Sequence, residues 1–267
     1  MSLAAAAAVR RASAGRYHGE VQPGWDIAGA ANGGYLMAIA VNAVLAETNC
    51  SDPLTVTAHY LAPARPGPVE VEVAPLRTGR RLATAGASLA SADGTRLLAA
   101  LATVATSAPV PGEQVLLAEG RPPRLPAPQE CVRLPATETF PPPFMGRVEV
   151  RLHPDDVAFA RDRPTGQAVV RGWFGLLDDE PLSGLGVLVG ADGFPPPIFN
   201  TDLPIAWTPT VELTVHVRAR PTSRWLACAF RTRFVAAGYL EADGELWDGD
   251  GHLVALSRQL ALVPRAE

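Results

Sequence analysis

The chain has 267 residues, 48% of them hydrophobic and 19% charged, with a formal net charge of −4. That length suits one large domain or two ordinary ones, and the mild negative charge argues against nucleic acid as the main partner, which usually demands a basic face. No apolar run approaches the ~20 residues needed to span a bilayer, so no membrane span is expected. The opening stretch, "MSLAAAAAVRRASAGRY", reads as a frayed or helical terminus and not as a signal peptide, because Arg10 and Arg11 follow the apolar run instead of preceding it. Cys50, Cys131 and Cys228 are far apart and form no metal-ligand spacing with the five histidines. The simplest expectation is a reduced, cytoplasmic protein with no metal and no cofactor.

In chain order, a short strand is expected around Tyr17 to Val21. "NGGYLMAIAVNAVLA" then predicts a helix that is apolar on every face, hence buried. Period-two alternation follows, in "LTVTAHYL" (Leu54, Val56, Ala58 and Tyr60 on one side) and in "VEVEV" (Val69, Val71 and Val73 on one side). This is the pattern of half-buried antiparallel strands. "RTGRR" and "SADGTR" supply turns between strands, and "LLAALATVAT" closes a group of four. Residues 107–145 are proline-rich; proline removes ladder donors and fixes φ, so they read as a connecting segment and not as sheet. Strands resume in "GRVEVRL" and "GQAVVRGWFGL". "EPLSGLGVLVGAD" reads as a second apolar helix, and a second strand group runs from about Pro209 to Val263.

The two strand groups resemble each other. His59 and His216, Thr57 and Thr214, Asp93 and Asp250, and Gly94 and Gly251 are each 157 residues apart. Several matches in one register over ~50 residues point to an internal duplication of one supersecondary unit.

A helix wrapped by an antiparallel sheet, occurring twice, suggests an α+β double hotdog. The motifs "NGGYLMA", "AHYLAPARPGPVEVEV", "LRTGRR", "ELTVHVR" and "ALSRQLALV" together resemble the acyl-CoA thioesterase II family, and more closely its bacterial thioesterase-like branch. The resemblance covers roughly residues 20–106 and 148–264. The organisation expected is an N-terminal hotdog over 1–106, a proline-rich linker over 107–145 and a C-terminal hotdog over 146–267.

Duplicated halves should share their cores, so differences between them mark specialisation. At the 157-residue offset Gln259 stands where Ala102 stands, and Thr210 where Pro53 stands; Asp192 sits near the end of the second helix, whose counterpart around Asn42 and Ala43 has no acid. The first half keeps a Gly33-Gly34 helix start that the second lacks. Asp192, Thr210 and Gln259 are similar to the Asp, Thr and Gln with which the resembled family holds and activates a water. Thr208, two residues earlier on the same strand face, fits the Thr position as well. The resemblance further implies substrate contacts at Asn32, Gly33, Gly34, Arg77 and Arg80. Trp25, just before the glycine pair, is a candidate for lining an acyl pocket.

The chemistry is coherent. A carboxylate can serve as general base when burial raises its pKa, and a hydroxyl and an amide can fix the water. Helix N-terminal N–H groups would polarise the thioester carbonyl, with glycines allowing close approach. The same residues also admit structural readings. Asp192-Gly193 fits a helix-ending turn, Gln259 a surface strand residue, Thr210 a β-former, and Gly33-Gly34 tight packing. The function expected is hydrolysis of an acyl-CoA or related thioester. The alternatives are a non-catalytic acyl-binding module, whose polar trio would not converge, and a hotdog dehydratase, which would bring His59 or His216 beside a carboxylate. A homo-oligomer is compatible with this fold.

Overall fold

A computed structural model describes residues 1–108, 115, 117–134, 136, 137, 141–161, 163–177 and 180–263. The proline-rich reading of 109–114, 116, 135 and 138–140 therefore lies outside the described residues. A short helix, α1 (Leu3–Ala6), precedes strands β1 (Arg10–Ser13) and β2 (Arg16–Val21) and two minimal strands, β3 (Asp26–Ile27) and β4 (Ala30–Ala31). Helix α2 (Gly33–Thr48) follows, then β5 (Asp52–Tyr60), β6 (Gly67–Thr78), β7 (Leu82–Ser91) and β8 (Arg96–Ala105). The second half holds β9 (Val132–Arg133), β10 (Val148–Leu152), β11 (Val169–Leu176), helix α3 (Gly184–Ala191), β12 (Thr210–Val217), β13 (Leu226–Arg231), β14 (Val235–Ala236), β15 (Tyr239–Trp247) and β16 (Leu253–Leu262).

Helix α2 starts where Asn32 Oδ1 accepts the Tyr35 N–H at 2.9 Å, and ends where Asn49 adopts the left-handed conformation, φ 53°. Both are roles in which a short polar side chain outcompetes helix continuation. From Gly34 to Val41 every α2 side chain is buried, which its apolar all-round composition demands. The strands β2 and β5–β8 wrap one side of it and α3 packs on another.

All strands except β3 and β4, which pair with each other, form one sheet in the order β1-β2-β6-β7-β8-β5-β12-β16-β15-β13-β11-β10-β9, with β14 beside β15. Its two halves join at β5 and β12, which pair antiparallel with Thr57 opposite Thr214. The pairing lies on the repeat spacing, so each half meets its own counterpart across the seam. Arg220 reinforces the junction: its Nη2 reaches both carboxylate oxygens of buried Asp52 at 2.8 Å. The expected helix-plus-four-strand plan is therefore present in each half, fused edge to edge.

Two expectations need correction. Strand β1 was not anticipated, because "RRAS" has no apolar alternation; all four of its residues are exposed and it is held by pairing with β2. Val132 and Arg133, inside the segment read as a connector and not as sheet, form β9 and pair with Leu152 and Arg151. Neither residue is a proline, so each keeps the N–H that pairing at this sheet edge can use. The N-terminal segment is also tied down. The Leu3 and Ala4 N–H groups donate to Glu180 at 2.7 and 3.0 Å, and the Tyr35 hydroxyl and Asn42 amide donate to the carbonyls of Ala6 and Ala7, each at 2.8 Å.

Candidate active site

The C-terminal end of α3 meets the N-terminal turn of α2, and the side chain between them is Asp192, the C-cap residue of α3. Its Oδ2 accepts from the Gly34 N–H and from Asn32 Nδ2, both at 3.0 Å, while Asn32 Nδ2 also donates to the Asp192 carbonyl at 2.8 Å. Its Oδ1 accepts from Gln259 Nε2 at 3.2 Å, and the same amide donates to Thr210 Oγ1. The approach is close. A Cβ on Gly34 would lie 2.6 Å from the Leu188 carbonyl oxygen and 3.1 Å from Asp192 Cβ, so only glycine admits the carboxylate here.

Strand geometry brings the other two members in. Leu213, Val215 and Val217 of β12 face inward, so regular alternation would turn Thr210 outward. The β12–β16 register shifts between Thr210 and Glu212, and Thr210 then lies opposite buried Ala261, on the side from which Gln259 also projects. Such a bulge re-aims one side chain without ending the strand. The first half has the same irregularity 157 residues earlier, between Pro53 and Thr55, so the device is as old as the duplication.

The trio opens onto a cavity of about 480 Å3, lined by Asn32, Gly33, Tyr60, Asp192, Thr210 and Gln259 at its polar end and otherwise largely by apolar side chains such as Leu36, Met145, Phe194 and Phe199. Burial in this setting pushes the Asp192 carboxyl up to about 6, against the pull of the Gly34, Gly33, Gln259 and Asn32 hydrogen bonds, which favour the ionised form. A carboxylate poised there is ionised at neutral pH and still basic enough to take a proton.

Not every candidate joins the site. Thr208 lines the cavity but precedes β12 and donates to the Ala206 carbonyl at 3.1 Å; Thr210 is the threonine that meets Gln259. Asn32 acts on Asp192 through its amide and caps α2 through its oxygen. Trp25 does not line the cavity. It is 1% exposed and stacks on Tyr35 with ring centroids 4.6 Å apart, a core position forced by its bulk beside α2. Arg77 and Arg80 are exposed and also away from it. Tyr60 pairs level with Leu98 whereas Arg77 is level with Thr84, Thr103 and Thr55, so five residues, on the order of 17 Å of strand, separate them. His59 and His216 are exposed on the other side of β5 and β12. The first-turn N–H groups of α2, expected to face a substrate carbonyl, instead serve Asp192 and Asn32 at Gly34 and Tyr35.

One lining residue escaped the comparison of halves. Tyr60 stands where Val217 stands in the second half, a polar difference of the same kind as the trio but on the other side of the repeat. The signal was present, in the last inward residue of "LTVTAHY". The counterpart positions of the trio hold no such group. Pro53 packs against Gly184, where a Cβ would meet its Cδ at 2.5 Å, and the Asn42 amide is engaged by the N-terminal segment. Elsewhere Asp248, Asp250 and His252 gather at the β15–β16 turn, where Asp248 Oδ1 accepts the N–H groups of Asp250 and His252 at 3.0 and 2.9 Å, a turn-closing role.

The chain is similar to known proteins along most of its length. Residues 21–106 match the acyl-CoA thioesterase N-terminal domain and residues 128–263 the acyl-CoA thioesterase C-terminal domain. A proposed thioesterase II from Thermobifida fusca is 32% identical, with a TM-score of 0.87 over 98% of this chain and 97% of its own. A hot dog fold protein of unknown function from Alicyclobacillus acidocaldarius superposes with a TM-score of 0.85 at 24% identity, covering 99% of this chain and 98% of its own. Uncharacterised proteins of Mycobacterium tuberculosis and Mycobacterium bovis are 27% identical over 93% of this chain and 91% of theirs. The chain belongs to the acyl-CoA thioesterase family, and its fold is a double hotdog. Among the described residues no helix is long and apolar enough to cross a membrane.

Proposed function

We propose that this acyl-CoA thioesterase family member hydrolyses an acyl-CoA thioester at the cavity between α2, α3 and β12–β16, with Asp192 as general base. In this reading Thr210 and Gln259 hold a water against the Asp192 carboxylate. Asp192 removes a proton from the water as its oxygen attacks the thioester carbon. The C=O π pair moves onto the carbonyl oxygen. Collapse of that intermediate breaks the C–S bond, and the proton on Asp192 goes to the departing sulfur, whose low basicity makes it a good leaving group. The acyl chain would occupy the apolar part of the cavity.

The observation that carries the reading is the convergence of Asp192, Thr210 and Gln259 from three separate elements, α3, β12 and β16, onto the cavity's polar end. An acyl-binding module would gain nothing from a carboxylate enclosed this far, because burying an ionisable group costs free energy unless it is used. The exposed positions of His59 and His216 count against a dehydratase. The test is turnover of an acyl-CoA panel by wild type and Asp192→Asn. Wild type should release free thiol and the folded variant should not. Equal turnover by both would remove Asp192 from the mechanism.

A further inference from the structure

Four buried side-chain polar atoms have no hydrogen-bond partner among the described residues, on Trp25, Tyr60, Asn200 and Thr232, and of these residues Tyr60 alone lines the cavity. Its phenol lies against the first turn of α2, so close that a Cβ on Gly33 would sit 2.8 Å from the hydroxyl oxygen and from two ring carbons. Asp192 is near enough for its charge to oppose ionisation of the phenol, which burial already pushes well above the ordinary range. The group is therefore a neutral O–H donor beside the proposed base, with no acceptor among the described residues. A buried donor without a partner costs free energy, and such groups in native structures call for a functional explanation.

Thioester hydrolysis needs a donor at this place. When the carbonyl carbon becomes tetrahedral, its oxygen gains a full negative charge, and one well-placed donor is worth ~10²–10³ in rate. The start of α2 would be the default source, but the Gly33 and Gly34 N–H groups both favour the Asp192 carboxylate and the Tyr35 N–H donates to Asn32. Asn32 and Gln259 also direct their amide N–H groups to Asp192 or Thr210. These donors hold the base, whereas the buried Tyr60 hydroxyl has no partner among the described residues.

We propose that the Tyr60 hydroxyl donates to the thioester carbonyl oxygen and holds the oxyanion of the tetrahedral intermediate. The inference rests on the hydrolase reading of Asp192. Balance is simple. Tyr60 keeps its proton throughout, the electron pair of the C=O π bond rests on the oxygen it faces, and that pair returns as the C–S bond breaks. Hydrogen bonds of this kind tighten only in the complex, so a hydroxyl tucked beside Gly33 is compatible with the role. The duplication supports the placement: position 217, the counterpart of Tyr60 on the side without the trio, is valine.

The experiment compares wild type, Tyr60→Phe and Asp192→Asn on the acyl-CoA that wild type turns over best, with kcat and KM resolved separately and thermal midpoints measured. Phenylalanine keeps the ring against Gly33, so folding is preserved. The expected result is a kcat for Tyr60→Phe lower by ~10²-fold with KM changed less than about threefold and a midpoint no lower than wild type. If Asp192→Asn is inactive but Tyr60→Phe keeps kcat within about threefold of wild type, the oxyanion role is overturned and the hydrolase reading stands. If Tyr60→Phe raises KM alone, the hydroxyl serves ground-state binding and the proposal fails. If wild type turns over no acyl-CoA, the hydrolase reading fails and this inference with it.

Discussion

The hydroxyls of Thr57 and Thr214 lie 2.8 Å apart across the seam between β5 and β12. The two residues are also counterparts in the internal repeat, 157 positions apart. Each threonine therefore faces its own copy, and the seam is a local two-fold axis. Because the halves are related by this axis, the start of one helix is delivered to the end of the other, which is how Gly34 reaches Asp192.

Breaking that contact should loosen the halves from each other. Thr57→Val and Thr214→Val are each expected to cost ~1 kcal/mol, the latter more because the Thr214 hydroxyl also donates to Glu212. The double variant should cost less than the sum, since both changes remove one shared bond. Urea titration of the four proteins reads the coupling, and strict additivity would show that the bond contributes nothing.

Activity should follow the ionisation of Asp192. A base must be deprotonated to act, and burial holds this carboxyl at about 6. kcat/KM is expected to rise with pH through about 6 and level off above it. A rate already flat from pH 4.5 upward would mean that the group controlling turnover has an ordinary carboxylate pKa.

The same group makes a stability prediction with a definite sign. Its folded pKa, about 6, lies above the ordinary aspartate value of 3.8, so the native state binds the proton more tightly than the unfolded chain. Stability then falls as pH rises from about 4 to about 6 and stays reduced above, by on the order of 3 kcal/mol. Asp192→Asn abolishes that titration. Relative to wild type it should gain stability between pH 4 and pH 6, while its activity is lost. Parallel denaturation midpoints for the two proteins across pH 4–8 would count against the shifted carboxyl.

The two threonines can be told apart by function. Thr210→Val removes the hydroxyl that Gln259 engages and should lower kcat by ~10-fold or more with little change in KM. Thr208→Val removes only a local bond to Ala206 and should leave kcat within about twofold. Kinetics on both variants suffices, and a reversed order would exchange their roles.

Gly34→Ala tests the helix contact. The added methyl would sit 2.6 Å from a backbone oxygen of α3, which no rotamer change can relieve. A loss of ~1–3 kcal/mol is expected, together with reduced turnover as Asp192 is pushed back. Unchanged thermal unfolding would show that α2 and α3 separate easily.

Much of this molecule was legible in its sequence. The repeat spacing showed two like halves, the two apolar segments located the buried helices, and the differences between halves singled out Asp192, Thr210 and Gln259, which the structure brings together. Thr210 was harder, because a bulge inverts its side-chain direction and alternation alone cannot show where a register shifts. Trp25 was assigned to the pocket by its nearness to the glycines along the chain, whereas stacking on Tyr35 draws it into the core. Arg77 and Arg80 matched a motif, but a hairpin carries its turn to one end of the sheet, and the cavity is at the other.

The amino-acid pattern by itself determined that there are two like halves, what each contains and which half carries Asp192, Thr210 and Gln259, because periodicity and repetition are local properties of a chain. Only the tertiary structure decided which donors are occupied and which is spare. The α2 start turned out to hold the carboxylate and Tyr60 to be left without a partner among the described residues, since hydrogen bonds between residues as distant as Gly34 and Asp192 depend on how two helices cross, and sequence spacing does not encode that.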